Sequence, residues 1–218
     1  MKVDVYNQEG KKAGKIELSE TVFAVPFNEA VVHQALVMQL ANGRQGTVDT
    51  KTRGEVARST RKLFNQKHTG RARRGSAKSP VLRGGGVAFG PHQRSYRQSM
   101  PRKMRRLALK CVLSAKANSG ELKVIDTFAL DKPNTKEVFD MLVALGIDTS
   151  VLIATGGVEE YVVKSARNLA GVRTLPANLL NVADVLSSQA LLMTKAAVQK
   201  VEELWGQSNA KKAAAASN

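Results

Sequence analysis

Between Arg44 and Arg106 the chain carries 18 Lys and Arg against two acids, Asp49 and Glu55. Arg outnumbers Lys there. A guanidinium offers a planar fork that pairs with phosphate oxygens and stacks on flat rings. The candidates for phosphate contact are Arg44, Lys51, Arg53, Arg58, Arg61, Lys62, Arg71, Arg73, Arg74, Lys78, Arg83, Arg94, Arg97 and Arg102. Phe64, Phe89, Tyr96, His68 and His92 are spread among them as groups able to stack on bases.

The whole chain has 34 basic and 18 acidic residues, a net charge of +16. The basic segment accounts for all of that surplus, and the remainder is electroneutral. From Val56 to Gly120 no acid occurs in 65 consecutive residues. A solvated face mixes signs, so self-repulsion on this scale calls for counter-charge from outside the chain. The segment is not an amphipathic helix, which argues against a membrane surface. Nucleic acid is the partner class that remains. An extended arm without a recognition helix suits irregular folded RNA better than a duplex DNA groove.

The flanking sequence must position that arm. KVDVY and GKIEL alternate around a turn-rich link, predicting a hairpin. Asn28 can cap a helix over NEAVVHQALVMQLANG that stops at Gly43. PRKMRRLALKCVLSAKANSG reads as a helix from Pro101 to Gly120, with Leu107, Val112 and Leu113 facing inward. Its Arg-rich first turn opposes the helix dipole unless an anion lies nearby. From Glu121 strands alternate with helices: LKVID, TKEVFDMLVALG, SVLIAT, EEYVVKSARNLAG, VRTL, ALLM and TKAAVQKVEELWG, with VADVL ambiguous. Apolar strands without internal polar alternation predict a mostly parallel sheet with helices on both faces, a three-layer α/β fold. A long extended basic loop interrupts it. The expected organisation is a globular domain over 1–43 and 101–206, the loop over 44–100, and a low-complexity, disordered tail over 207–218. The loop cannot bury enough apolar surface to order itself, so a partner is expected to order it. Doubled back, its arms of about 28 residues could reach roughly 90 Å.

Other constellations give weaker signals. Gly70 to Gly75 has the glycine spacing of a phosphate-binding P-loop, but Ser76 and Ala77 stand where the lysine and hydroxyl belong. Gly84 to Gly90 resembles a dinucleotide fingerprint with Phe89 in place of the third glycine. Thr155-Gly156-Gly157 could cradle a phosphate, but Glu159 and Glu160 follow it, so a plain strand-to-helix turn is expected. His33, His68 and His92 have no ligand spacing, and no metal or cofactor is expected. Cys111, the single cysteine, reads as a buried, inert thiol. One thiol makes no internal disulfide, which fits a reducing cytoplasm. No signal peptide or membrane span is evident at the sequence level. A nucleotide-binding enzyme with a basic arm and a DNA-compacting protein are the competing classes. The missing P-loop lysine argues against the first.

Several runs carry a resemblance to one family. They are Arg44-Gln45-Gly46-Thr47, Lys51-Thr52-Arg53, Gln66-Lys67, Thr69 to Arg73, and Gly84 to Pro91. Phe27 to Gln34 and Ala166 to Leu169 fit too. Together they closely resemble the bacterial large-subunit ribosomal protein four family, from the first strand to Trp205. The resemblance implies a structural, non-catalytic protein of the cytoplasmic ribosome. It implies binding to large-subunit (23S) ribosomal RNA early in assembly. It also implies that the loop tip helps form the narrow part of the peptide exit tunnel, beside another ribosomal protein's hairpin. By motif match the tip is Asn65, Gln66, Lys67, His68, Thr69, Gly70 and Arg71, with Lys67 facing the tunnel. The resemblance implies neighbouring large-subunit proteins as partners, and neither DNA nor membrane. Leu63-Phe64 and His68 depart from the family's usual Pro-Trp and Gly, so tunnel width and antibiotic sensitivity do not carry over.

Overall fold

Six strands form one sheet in the order β2 (Lys12–Glu17), β1 (Lys2–Tyr6), β3 (Leu122–Ile125), β6 (Ala190–Thr194), β4 (Val151–Thr155), β5 (Val172–Pro176). In this computed structural model residues 1–128, 130 and 132–206 are described, so the expected 207–218 tail lies outside the described residues. β1 (Lys2–Tyr6) and β2 (Lys12–Glu17) pair antiparallel, with a register shift between Val5 and Tyr6. Gly10, at φ +76, lets the chain reverse between them. The remaining pairings are parallel: β1 with β3 (Leu122–Ile125), β3 with β6 (Ala190–Thr194), and β6 and β5 (Val172–Pro176) each with β4 (Val151–Thr155). β4 and β6 are buried at every position, which is why their sequences run apolar without alternation.

Alternate residues of these strands face two cores. On one side Val124, Leu152, Ala154, Leu191 and Met193 pack under helices α1 (Glu20–Phe23), α2 (Glu29–Asn42), α3 (Arg102–Asn118), α6 (Val182–Ser187) and α7 (Lys195–Gly206). On the other Ile125, Val151, Ile153, Ala190 and Leu192 meet α4 (Thr135–Ala144) and α5 (Glu160–Ala166). The result is the three-layer α/β arrangement that the alternation predicts.

The cap read at Asn28 forms, and the structure adds one at Asn134. Asn28 Oδ1 accepts from the Val31 amide, and Asn134 Oδ1 from Lys136. VADVL resolves as a helix because Asn181 Oδ1 accepts from Asp184 N at 2.9 Å. α1 spans four residues, too few to carry a periodic signal. Two expectations need correction. α5 stops at Ala166 rather than running to Gly171. Leu107 does not face inward: it is 38% exposed, while Ala108, Val112 and Leu113 are buried. At 3.6 residues per turn Leu107 lies about 140° round the helix from Val112.

α3 is tied to the chain before α2 by buried polar groups. Ser114 Oγ donates to Val22 O and accepts from Val25 N. The buried Cys111 thiol donates to Pro26 O, so it is held as a packing group. Among the described residues no helix is long and apolar enough to cross a membrane.

The described chain divides into two units, one from Met1 to Leu40 together with the residues from Ser99 on, the other Ala41–Gln98. The second unit contains the basic loop.

Candidate nucleic-acid interface

Two arms of the Ala41–Gln98 unit run past each other in opposite directions. Their cross-links step outward in order. Asn42 Oδ1 accepts from Gln98 N and its amide donates to Gln98 O. Gly46 O accepts from Arg94 N, Lys51 O from Val87 N at 2.9 Å, and Pro91 O from Thr50 Oγ1. Further out Arg58 Nη1 donates to Arg83 O at 2.7 Å, and Leu63 N to Gly75 O. Lys62 and Ser76 make a single antiparallel bridge. No regular ladder forms, because the glycines and prolines interrupt the alternation a strand needs.

Glycines stand where the chain packs on itself. A Cβ on Gly86 would lie 2.2 Å from Arg53 N of the opposite arm, and one on Gly85 1.9 Å from Ser79 O of its own arm. These are backbone atoms, so no rotamer change relieves the clash. The dinucleotide-like glycine run thus packs chain against chain rather than around a ligand.

Both acids of the segment are used internally. Glu55 Oε2 accepts from Thr52 N at 2.7 Å and Thr52 Oγ1 at 2.8 Å, and these bonds hold its carboxyl below the ordinary glutamate value. Asp49 Oδ1 accepts from Thr50 N and lies 3.0 Å from His92 Nδ1. Neither reaches a Lys or Arg. Among the described residues no Lys or Arg from 44 to 106 makes an ion pair, whereas Lys2, Lys11, Lys12, Lys116, Lys164, Arg173 and Lys195 all do.

The predicted contact residues separate into two kinds. Arg44 and Arg94 stack on Tyr96, with guanidinium carbons 3.8 and 4.6 Å from the ring centre. The Arg94 side chain, and the charges of both arginines, hold the Tyr96 hydroxyl below its ordinary value. Arg58 braces the arms, and Lys62 Nζ donates to Gln66 Oε1. Lys51, Arg53, Arg61, Arg71, Arg73, Arg74, Arg83 and Arg97 are exposed without such engagement, and Lys78 is half-buried. An open cavity of ≈ 610 Å³ near the root is lined by Arg44, Gln45, Thr47, Gln93 and Arg97. Arg102 belongs to the other unit, as the first residue of α3. That helix has no acid in its first turn and no side-chain cap.

Asn65 to Arg71 are exposed at the turn between the arms. His68 and Gly70 both have left-handed backbone, φ +64 and +59. The sequence singled out His68 by type; only the structure gives its conformation.

Elsewhere, Thr155-Gly156-Gly157 closes as a turn, Thr155 Oγ1 donating to Gly157 O at 2.6 Å and Lys200 Nζ to Gly156 O. A Cβ on Gly156 would stand 2.8 Å from Ala196 Cβ, so this glycine lets the turn pack against the start of α7. Burial pushes the neighbouring Glu159 carboxyl up.

The sequence matches the model of the ribosomal protein L4/L1 family over residues 16–204. The chain belongs to that family. Its curated relatives include proteins named large ribosomal subunit protein uL4. One, from Dehalococcoides mccartyi (strain CBDB1), is 54% identical over 207 residues, 95% of this chain and 99% of the relative. One from Symbiobacterium thermophilum is 51% identical over 205 residues, 94% and 99% respectively. One from Carboxydothermus hydrogenoformans is 49% identical over 204 residues, 94% and 99%. Membership spans both the globular unit and the basic loop, and the family is one of structural ribosomal proteins.

Proposed function

We propose that this chain is a non-catalytic constituent of the large ribosomal subunit, and that its basic loop binds large-subunit ribosomal RNA early in assembly. The observation that carries the reading is the unpaired charge. The loop's two acids are spent on Thr52, Thr50 and His92, so its arginines are left for phosphate. The family membership supplies the ribosome, in the bacterial cytoplasm, as the setting. The exposed, uncapped, arginine-rich start of α3 adds a further place for an anion. In the same reading the tip from Asn65 to Arg71 reaches the peptide exit tunnel, with Lys67 toward the lumen. There the loop meets a neighbouring large-subunit protein.

The test compares the full chain with one lacking residues 48–98, titrated with large-subunit ribosomal RNA over a salt series. Each phosphate neutralised contributes a slope of about 0.7 to 0.9 in log K against log salt. The deletion is expected to weaken binding and flatten the slope. Unchanged affinity and slope would overturn the loop's role. For the tip, a photo-crosslinker at Lys67 in assembled subunits is expected to capture a stalled nascent peptide. Capture of RNA alone would place the tip outside the tunnel.

A further inference from the structure

The geometry points to Phe89 as a preformed stacking platform for one unpaired RNA base. This rests on the RNA reading above and names a contact within it. Three aromatic residues in the loop could stack, and the structure separates them. Tyr96 is engaged by Arg44 and Arg94, and Phe64 is half-buried. Phe89 is 107% exposed, its ring touching nothing that shields it.

A lone exposed apolar residue is ordinary on a protein surface. Two further observations set Phe89 apart. Its backbone sits at φ +53, an outlier for a bulky side chain that favours glycine. The turn that holds it there is anchored on both sides to the opposite arm. Val87 N donates to Lys51 O before it, and Pro91 O accepts from Thr50 Oγ1 after it. Asp49 holds His92 one residue further on. Gly86 and Gly90 press against that arm. A Cβ on Gly90 would lie 2.1 Å from Thr50 Oγ1. A strained, doubly anchored turn therefore projects one flat apolar ring into solvent.

The surroundings indicate what the ring meets. Gly86 lies against the Arg53 backbone and Gly84 against the Arg58 guanidinium, while Arg83 is exposed nearby in sequence. A flat, fully exposed apolar ring on a loop whose arginines make no ion pair among the described residues matches a partner that alternates flat rings with anions. A splayed nucleobase beside its phosphates has that chemistry. Because the turn is braced, little conformational freedom remains to be lost on binding.

Phe89→Ala, Phe89→Leu, Phe89→Gly and Phe89→Trp are made in the full chain and titrated with large-subunit ribosomal RNA and, separately, with heparin. Heparin offers the charge without bases. Ala, Leu and Gly are expected to weaken RNA binding about ten-fold, within the range that stacking on one base carries. Trp is expected to preserve binding. Heparin affinity and the salt slope are expected to stay unchanged, since no charge is removed. The Gly variant relieves the backbone strain, so a loss there identifies the ring as the cause. Equal RNA affinity in all variants overturns the inference. So does an equal loss on heparin, which would make the ring a structural element of the loop. Unchanged RNA binding with impaired incorporation into subunits also overturns it, assigning the ring to a protein neighbour. If wild type binds RNA no better than the loop-deleted chain, the RNA reading itself fails.

Discussion

Arg44 lies with its guanidinium carbon 3.8 Å from the ring centre of Tyr96, joining the outgoing arm of the basic loop to the returning one. Gly46 makes the approach possible. A Cβ there would fall 2.1 Å from Arg94 O, and the residue's φ is +72. Beside it, the reciprocal bonds between Asn42 and Gln98 close the root. Tyr96→Phe keeps the ring and is expected to leave the root closed, whereas Tyr96→Ala is expected to open it. Hydrogen exchange at the Arg94 amide, which donates to Gly46 O, reads the difference. Equal exchange in both variants would show that the ring does not hold the arms.

Gly86 and Gly75 offer a matched pair. A methyl on Gly86 meets Arg53 N at 2.2 Å, while one on Gly75 meets nothing within 4 Å. Gly86→Ala is expected to separate the arms, raising proteolytic cleavage near Arg53 and lowering RNA affinity. Gly75→Ala is expected to match wild type in both assays. Indistinguishable behaviour of the two variants would sink the close-packing argument.

His68 carries a left-handed backbone in an L-residue with a full side chain. Relief of that conformation is worth about 1 kcal/mol. His68→Gly is therefore expected to lower local strain without disturbing the globular unit, whose melting temperature should not move. If the tip reaches the exit tunnel as proposed, the smaller residue is expected to change how a tunnel-binding antibiotic protects nearby nucleotides from chemical probing. Identical protection would show that residue 68 does not approach the lumen.

Arg58 and the Arg71, Arg73, Arg74 group make opposite predictions. Arg58 donates across the arms, so Arg58→Ala is expected to raise hydrogen exchange in the free loop. The other three are exposed, with no ion-pair partner among the described residues. Their triple change to Ala is expected to leave the free loop unaltered and to reduce the salt slope by about two to three. Salt-dependent titration together with exchange in the free protein separates the two roles.

Glu121 links pH to the stability of the globular unit. Lys116 Nζ lies 2.7 Å from Glu121 Oε2 and donates to Gln189 O at 2.8 Å. The Lys116 hydrogen bond holds the Glu121 carboxyl below its ordinary value. A lowered folded-state value means the contribution is complete above the ordinary glutamate range and is lost as pH falls through the lowered one. Glu121→Gln is expected to melt slightly below wild type at pH 7, the small gap reflecting a solvent-screened pair. That gap should close in acid. A gap that stays constant from neutral pH to pH 3 would rule out the ionised pair as its cause.

The sequence by itself determined the sheet's character, the Asn28 cap and the sign of the chain's own surplus charge. A short, β-branched apolar run such as Val151–Thr155, set between helical patterns, reads as a strand covered on both faces, and Asn28 ahead of a periodic apolar run marks a helix start. Charge is additive along a chain, so the surplus of positive charge from Arg44 to Arg106 was legible without coordinates. Short or irregular features were not. α1 is too brief for a period, and Leu107 looked inward until the stripe of α3 was located. In the loop, only the tertiary structure decided which groups are occupied. Glu55 binds Thr52 only three residues away, but whether Arg58 is free depends on its meeting the Arg83 carbonyl across 25 residues. No local pattern encodes that meeting. It follows from glycines that allow one arm to touch the other, and that contact leaves Phe89 facing solvent.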